Sequence, residues 1–205
     1  MIPAYLIRDT PASAWVSMKN LIEQWGDDVK TEDGALTREA RNFLVTVKYP
    51  LQGWPIQGSG WDLMALEEYS KHMVDADPRG FDYSYGNRLR AYESFIDDRQ
   101  ASIFDQLENV INKLREAQET RRAIMLTWYP SDIKKKNVPC MIMVDLLIRA
   151  GKLHLTAVFR SHDIARAWPA NVYGLSKIMK LIAESLGVEI GTLTTFSISA
   201  HIYRE

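Results

Sequence analysis

The 205-residue chain is 46% hydrophobic, the make-up of a globular protein with one substantial core. Lys plus Arg total 25 against 26 Asp plus Glu, so no general charge draws it to nucleic acid or an anionic membrane, and an anionic ligand would need a local basic pocket. No apolar run approaches the roughly 20 residues that cross a bilayer, Pro3 and Arg8 interrupt any secretory core, and a single cysteine excludes an internal disulfide or a cysteine metal cluster.

These bounds set the expectation of one cytoplasmic domain over 1–205, with no metal. Thr10-Pro11 reads as a helix cap followed by proline at the first helical position, and Trp15, Met18, Ile22 and Trp25 recur at helical spacing up to Gly26. Asp27 to Gly34 reads as a loop. Phe43, Val45, Val47 and Tyr49 then alternate with Leu44, Thr46 and Lys48 as in a half-buried strand, which Pro50 ends. Leu63, Leu66 and Met73 predict a helix over about 61–74, and Ile103, Leu107, Val110, Ile111 and Leu114 a longer amphipathic one.

Three strand-like segments follow, Ala123 to Trp128, Met141 to Arg149 and Lys152 to Phe159. Ala150-Gly151 joins the last two as a hairpin. A helix is expected over about Asn171 to Leu186, stopped by Gly187, and a strand over Thr192 to Ile202. The fold class is α+β, with helices packed on a mixed β-sheet core.

The lone Cys140 follows Val138-Pro139 and opens a predicted strand. A cysteine in an apolar setting is commonly an inert small hydrophobe, so its neighbours matter. A hairpin brings its outer ends together, which sets Arg160 opposite Cys140. A guanidinium beside a thiol favours the thiolate, the reactive form.

Pro139-Cys140, Arg160-Ser161-x-Asp163, Pro169-x-Asn171 and His201-x-Tyr203 occur in the order of the thymidylate synthase signature, and the chain resembles that family. Tyr85-Gly86 with Arg88, and Thr120-Arg121-Arg122, resemble two further blocks upstream. The likeness spans roughly residues 80 to 203 and fades toward the N-terminus.

The resemblance implies a thymidylate synthase-like fold, a two-fold homodimer, and conversion of dUMP to dTMP. The Cys140 thiolate would add to C6 of uracil, and the one-carbon donor would be methylene-tetrahydrofolate or a related methylene-tetrahydropterin. Arg160, Arg121 and Arg122 would grip the 5′-phosphate, the arginine pair reaching across from the neighbouring subunit. Ser161 would touch the phosphate and the Asp163 backbone would hold the base. Asn171 would read the ring edge, where relatives acting on cytosine carry Asp; Asn171 is also placed to cap the helix expected to start there. His201 and Tyr203 would bond the 3′-hydroxyl, and Tyr85 would lie near the base.

Three departures from the family pattern are visible. Met141 stands where the family usually has His. The sequence stops at Glu205, two residues past Tyr203, where most members continue into a tail that closes over the folate. The family's catalytic glutamate has its nearest counterpart in Asp62, with Glu67 as an alternative general acid or base. Arg38 and Arg41 are both candidates for a further phosphate-binding arginine. A short chain of this kind resembles the archaeal-type members. The alternatives are a nucleotide 5-hydroxymethylase, which water entering an unclosed site would favour, and a non-catalytic nucleotide- or RNA-binding relative.

Overall fold

The computed structural model describes residues 5–97 and 100–204. In chain order the elements are β1 (Tyr5–Arg8), α1 (Pro11–Trp25), β2 (Asp27–Lys30), β3 (Leu36–Val47), α2 (Leu63–His72), α3 (Tyr85–Arg90), β4 (Tyr92–Asp97), β5 (Gln100–Phe104), α4 (Gln106–Glu116), β6 (Ala123–Leu126), a 3-10 turn (Pro130–Lys134), β7 (Met141–Arg149), β8 (Lys152–Phe159), β9 (His162–Asp163), α5 (Trp168–Leu186) and β10 (Glu189–Tyr203).

One mixed sheet runs β1-β3-β10-β8-β7-β6, and β4-β5 form a separate ribbon. β10 is antiparallel to β3 and parallel to β8. Period-two alternation decides which face is core: Met141, Val144, Leu146 and Ile148 of β7 are buried, as are Leu153, Leu155, Ala157 and Phe159 of β8. They pack with the apolar sides of α1 and α5, and burial of such side chains supplies the main drive to fold.

Local chemistry starts and stops these elements as expected in several places. Thr10 accepts from the Ser13 backbone while Ser13 reciprocates, closing a capping box with Pro11 behind it. Ala150 and Gly151 both have positive φ, 50° and 74°, the backbone of a tight turn whose twist suits β7 and β8. Their register runs from Arg149 opposite Lys152 to Met141 opposite Phe159.

Elsewhere tertiary pairing overrides local pattern. Asp27–Lys30, expected as loop, is a strand because it finds β3 as partner, and β3 begins at Leu36, well before the alternating apolar run. Ile103 belongs to β5 rather than to α4, which starts after its cap Asp105. Trp25 ends α1 exposed. α5 begins at Trp168, so Asn171 lies inside its first turn, donating its N–H to Ala167 O, and is not the cap. α3 was not anticipated: six residues carry too little periodicity to read.

α3 is held from below by the buried ion pair of Arg88 with Asp132, 3.0 Å, and by the absence of a side chain at Gly86. A Cβ there would stand 2.3 Å from the carbonyl oxygens of both His72 and Asp75, backbone atoms that cannot swing away. Gly86→Ala is therefore expected to cost about 1–3 kcal/mol by overpacking and to lower the thermal unfolding midpoint by several degrees. A melting curve superimposable on the parent's would show that this junction yields freely.

Candidate active site

β8 and β9 lie in line along β10, Phe159 opposite Ser197 and His162 opposite Ala200. Arg160 and Ser161 sit in the gap between them. Freed from the ladder to β10, the Arg160 backbone N–H instead donates to Cys140 O at 2.8 Å. Its side chain follows: Nε donates to Pro139 O at 2.9 Å, Nη2 to Val138 O at 3.2 Å, and Nη2 lies 4.0 Å from Cys140 Sγ. The hairpin does bring guanidinium and sulfur together.

The expected consequence for the thiol does not follow. Burial pushes Cys140 above its ordinary value, outweighing the downward pull of Arg160, and Asp163 adds to the rise. Desolvation disfavours the charged form more than one guanidinium at this distance restores it. Alkylation of Cys140 by iodoacetamide, followed against pH, should accordingly have its midpoint above that of an unstructured cysteine, because the reactive thiolate forms only once the raised pKa is crossed. A midpoint below the free-cysteine value would mean that Arg160 dominates after all.

Around the sulfur stand three phenols, of which the sequence singled out Tyr85 but not Tyr69 or Tyr83. Tyr85 Oη accepts from the Met141 backbone at 3.1 Å, tying the start of α3 to the start of β7. Burial raises Tyr85 well above its usual range, and Tyr69, Cys140 and Tyr83 add to it. Tyr83 is pushed up to about 12, first by burial and then by the thiol. Tyr69, on α2, is raised by burial, with Tyr83 and Cys140 contributing. Tyr69, His72, Met73, Phe81, Tyr83 and Tyr85 line a recess of about 370 Å³ beside this cluster. The Tyr85-Gly86 block marked Tyr85, and its alternation with Tyr83 was the signal that could have found the second phenol; Tyr69 had none, since its partners are remote in sequence.

Tyr69 donates to Asn171 Oδ1 at 2.5 Å, Asn171 Nδ2 lies 3.2 Å from His162 Nε2, and His162 Nδ1 lies 2.9 Å from Ser197 Oγ. Asp163 Oδ1 accepts from the backbones of Ala165 and Arg166, both at 3.0 Å, which turns the chain from β9 into α5. His201 of β10 pairs with Asp163 of β9, is buried, and meets Tyr203 edge-on at 5.2 Å; Tyr203 is 39% exposed. Burial lowers the His201 pKa, though Asp163 opposes the shift. Cys140, Arg160, Ser161, Asp163, Asn171, His201 and Tyr85 thus gather on the β7, β8, β9 and β10 ends with α3 and α5 over them.

The family sequence model described as thymidylate synthase matches residues 52–205. A protein of Methanococcoides burtonii is 41% identical over 95% of this chain and 87% of its own length. One of Methanothermobacter thermautotrophicus is 40% identical over 94% and 90%, and one of Methanocaldococcus jannaschii 34% over 94% and 87%. All three carry thymidylate synthase names given provisionally.

The chain belongs to the thymidylate synthase family.

Other residues singled out by likeness to that family are placed differently. Arg121 and Arg122 are exposed at the start of β6, where Arg122 lines a recess with Lys113 and Gln106. β6 pairs Ala123 with Leu146 and Leu126 with Met143, so continuing that register sets the arginines opposite Leu147 and Ile148, about seven to eight strand residues and roughly 25 Å from Cys140. One thymidylate synthase-like subunit does not bring them to its own sulfur.

Asp62 caps α2, its Oδ1 accepting from the Ala65 backbone at 2.7 Å. Glu67 takes hydrogen bonds from Lys177 at 2.7 Å and from Tyr173, and these hold it below the usual carboxylate range, unlike a poised general acid. Arg38 and Arg41 pair with Asp28 at 3.2 Å and Asp27 at 3.3 Å on the β2 edge. Met141 points into the core and is fully buried.

Proposed function

We propose that the chain is a single-domain, cytoplasmic thymidylate synthase that converts dUMP to dTMP through a covalent bond between Cys140 and C6 of the ring. The observation that carries this reading is the convergence of the Cys140 sulfur and the Arg160 guanidinium, with the Asn171 carboxamide linked to their surroundings through Tyr69. Family membership supports it.

In this reading Arg160 holds the phosphate while its bonds to Val138 and Pro139 keep the nucleophile strand in place. Two of the five N–H donors of the guanidinium go to those carbonyls, and donors remain for an anion. The resting thiol is protonated at neutral pH, so the small thiolate fraction attacks; cysteine is nucleophilic enough for this. As the S–C6 bond forms, the C5–C6 electron pair moves through C4 onto O4. An Asn171 N–H donated to O4 stabilises that charge where it develops. C5 becomes nucleophilic, later loses its proton, and the sulfur is expelled. His201 and Tyr203 bond the 3′-hydroxyl.

The phenol-lined recess suits a flat pterin: its walls are Tyr83, Tyr85 and Phe81, and it adjoins the thiol cluster. When bound, methylene-tetrahydrofolate or a related methylene-tetrahydropterin supplies the one-carbon unit and the reducing equivalents that make it methyl. Incubation with C5-tritiated dUMP and methylene-tetrahydrofolate should release tritium and yield the methylated nucleotide by mass. A hydroxymethyl product would reassign the chain to the hydroxymethylases, and binding without tritium release to the non-catalytic relatives.

A two-fold homodimer with shared sites completes this reading. The sheet face turned away from the helices carries Leu126, Ile142, Met143 and Ile198, and with Trp128 and Arg160 part of it forms a recess of about 590 Å³. An apolar face that runs into a phosphate-binding arginine is what a shared site requires. Met143→Asp is expected to reduce the solution mass from twice to once 23.5 kDa and to weaken dUMP binding, since Arg121 and Arg122 then have no site to reach. Scattering-detected chromatography with calorimetry decides it; a monomeric variant with parental dUMP affinity would remove the shared-site claim.

A further inference from the structure

We infer that Tyr69 and His162 are positioning residues that set which way round the Asn171 carboxamide faces the base, and thereby select uracil over cytosine. This rests on the pyrimidine-nucleotide reading of the site. The four side chains form one largely buried chain running Tyr69–Asn171–His162–Ser197, drawn from α2, α5, β9 and β10.

His162 is 1% exposed and stacked on Phe159 at 3.7 Å. Burial, with His201 adding to it, holds its pKa well below the ordinary value, so the imidazole is neutral and offers one donor and one acceptor. With Asn171 Nδ2 facing Nε2, Nε2 accepts, Nδ1 carries the proton, and Ser197 Oγ accepts it. At the other end burial keeps the Tyr69 hydroxyl protonated, and it donates to Oδ1.

An amide gripped this way has one N–H and one oxygen lone pair left for a ligand. Those match uracil, whose O4 accepts and whose N3–H donates. Cytosine reverses both positions, with an amino donor at C4 and an acceptor at N3. To greet it the amide must turn over, which sets Nδ2 against Tyr69 and Oδ1 against Nε2. His162 must then move its proton to Nε2, and the Tyr69 hydroxyl loses its acceptor. A buried donor without a partner is costly enough to weaken binding about ten- to a hundredfold.

Calorimetric dissociation constants for dUMP and dCMP should therefore differ strongly for the parent protein. Tyr69→Phe, which keeps the ring, should shrink the dCMP-to-dUMP ratio at least about tenfold. His162→Gln, whose own amide can present either a donor or an acceptor, should shrink it too. Equal weakening of both nucleotides, or an unchanged ratio, overturns the inference. Nitrogen-15 shifts of the His162 imidazole in the ligand-free protein should show protonation at Nδ1; a proton at Nε2 overturns the positioning claim whatever ligand the site takes. A parent protein that binds neither nucleotide instead defeats the pyrimidine reading, and the selectivity with it, leaving the tautomer result to stand alone.

Discussion

Cys140→Ser is expected to reduce tritium release from C5 of dUMP by about 10⁴-fold or more, the order seen when an enzyme loses its nucleophile, while dUMP affinity stays within a few-fold. The reason lies in the chemistry of the sulfur. Even with its pKa raised, the thiol supplies a small thiolate fraction at neutral pH and is soft enough to add to an unsaturated carbon and leave again. A serine hydroxyl in the same half-buried position, with no base bonded to it among the described residues, supplies essentially no alkoxide. The phosphate and ring contacts proposed for Arg160 and Asn171 are untouched, so binding should survive. Release persisting within tenfold of the parent would show that the covalent step runs elsewhere.

Arg160→Ala is expected to lower kcat/KM for dUMP by about 10²-fold or more. Charge-assisted hydrogen bonds contribute roughly 1.5–3 kcal/mol each, and this residue makes two to Pro139 and Val138 besides those proposed to phosphate. Losing about 3 kcal/mol of them corresponds to that factor. Arg160→Lys should recover only part, since an ammonium is a point charge that cannot reach both carbonyls and a phosphate in one plane. Steady-state kinetics on both variants, with far-ultraviolet dichroism to establish that they fold, makes the measurement. Parental kinetics in Arg160→Ala would end the phosphate assignment and the geometric case for the site.

Both expectations began in the sequence, because the features behind them are local. The turn chemistry of Ala150-Gly151 and the alternation on either side require a hairpin whose ends carry Cys140 and Arg160, and the observed register obeys it. The capping box at Thr10 is equally local. Ordered short motifs were enough for the family.

Tertiary structure alone decided the rest. Tyr69 and Asn171 are 102 residues apart, and no periodicity links them. His162 looked like a spacer between Ser161 and Asp163 until β9 paired with β10. The direction of the Cys140 shift reversed because desolvation depends on everything packed around the sulfur, whereas the sequence exhibits only the neighbouring charge. Strand length put Arg121 and Arg122 far from the sulfur of their own subunit, and Asp62 proved to cap α2. Turn and capping preferences act over a few bonds and can be read along the chain. Burial, pairing and charge act through space, and only the folded arrangement sets their sums.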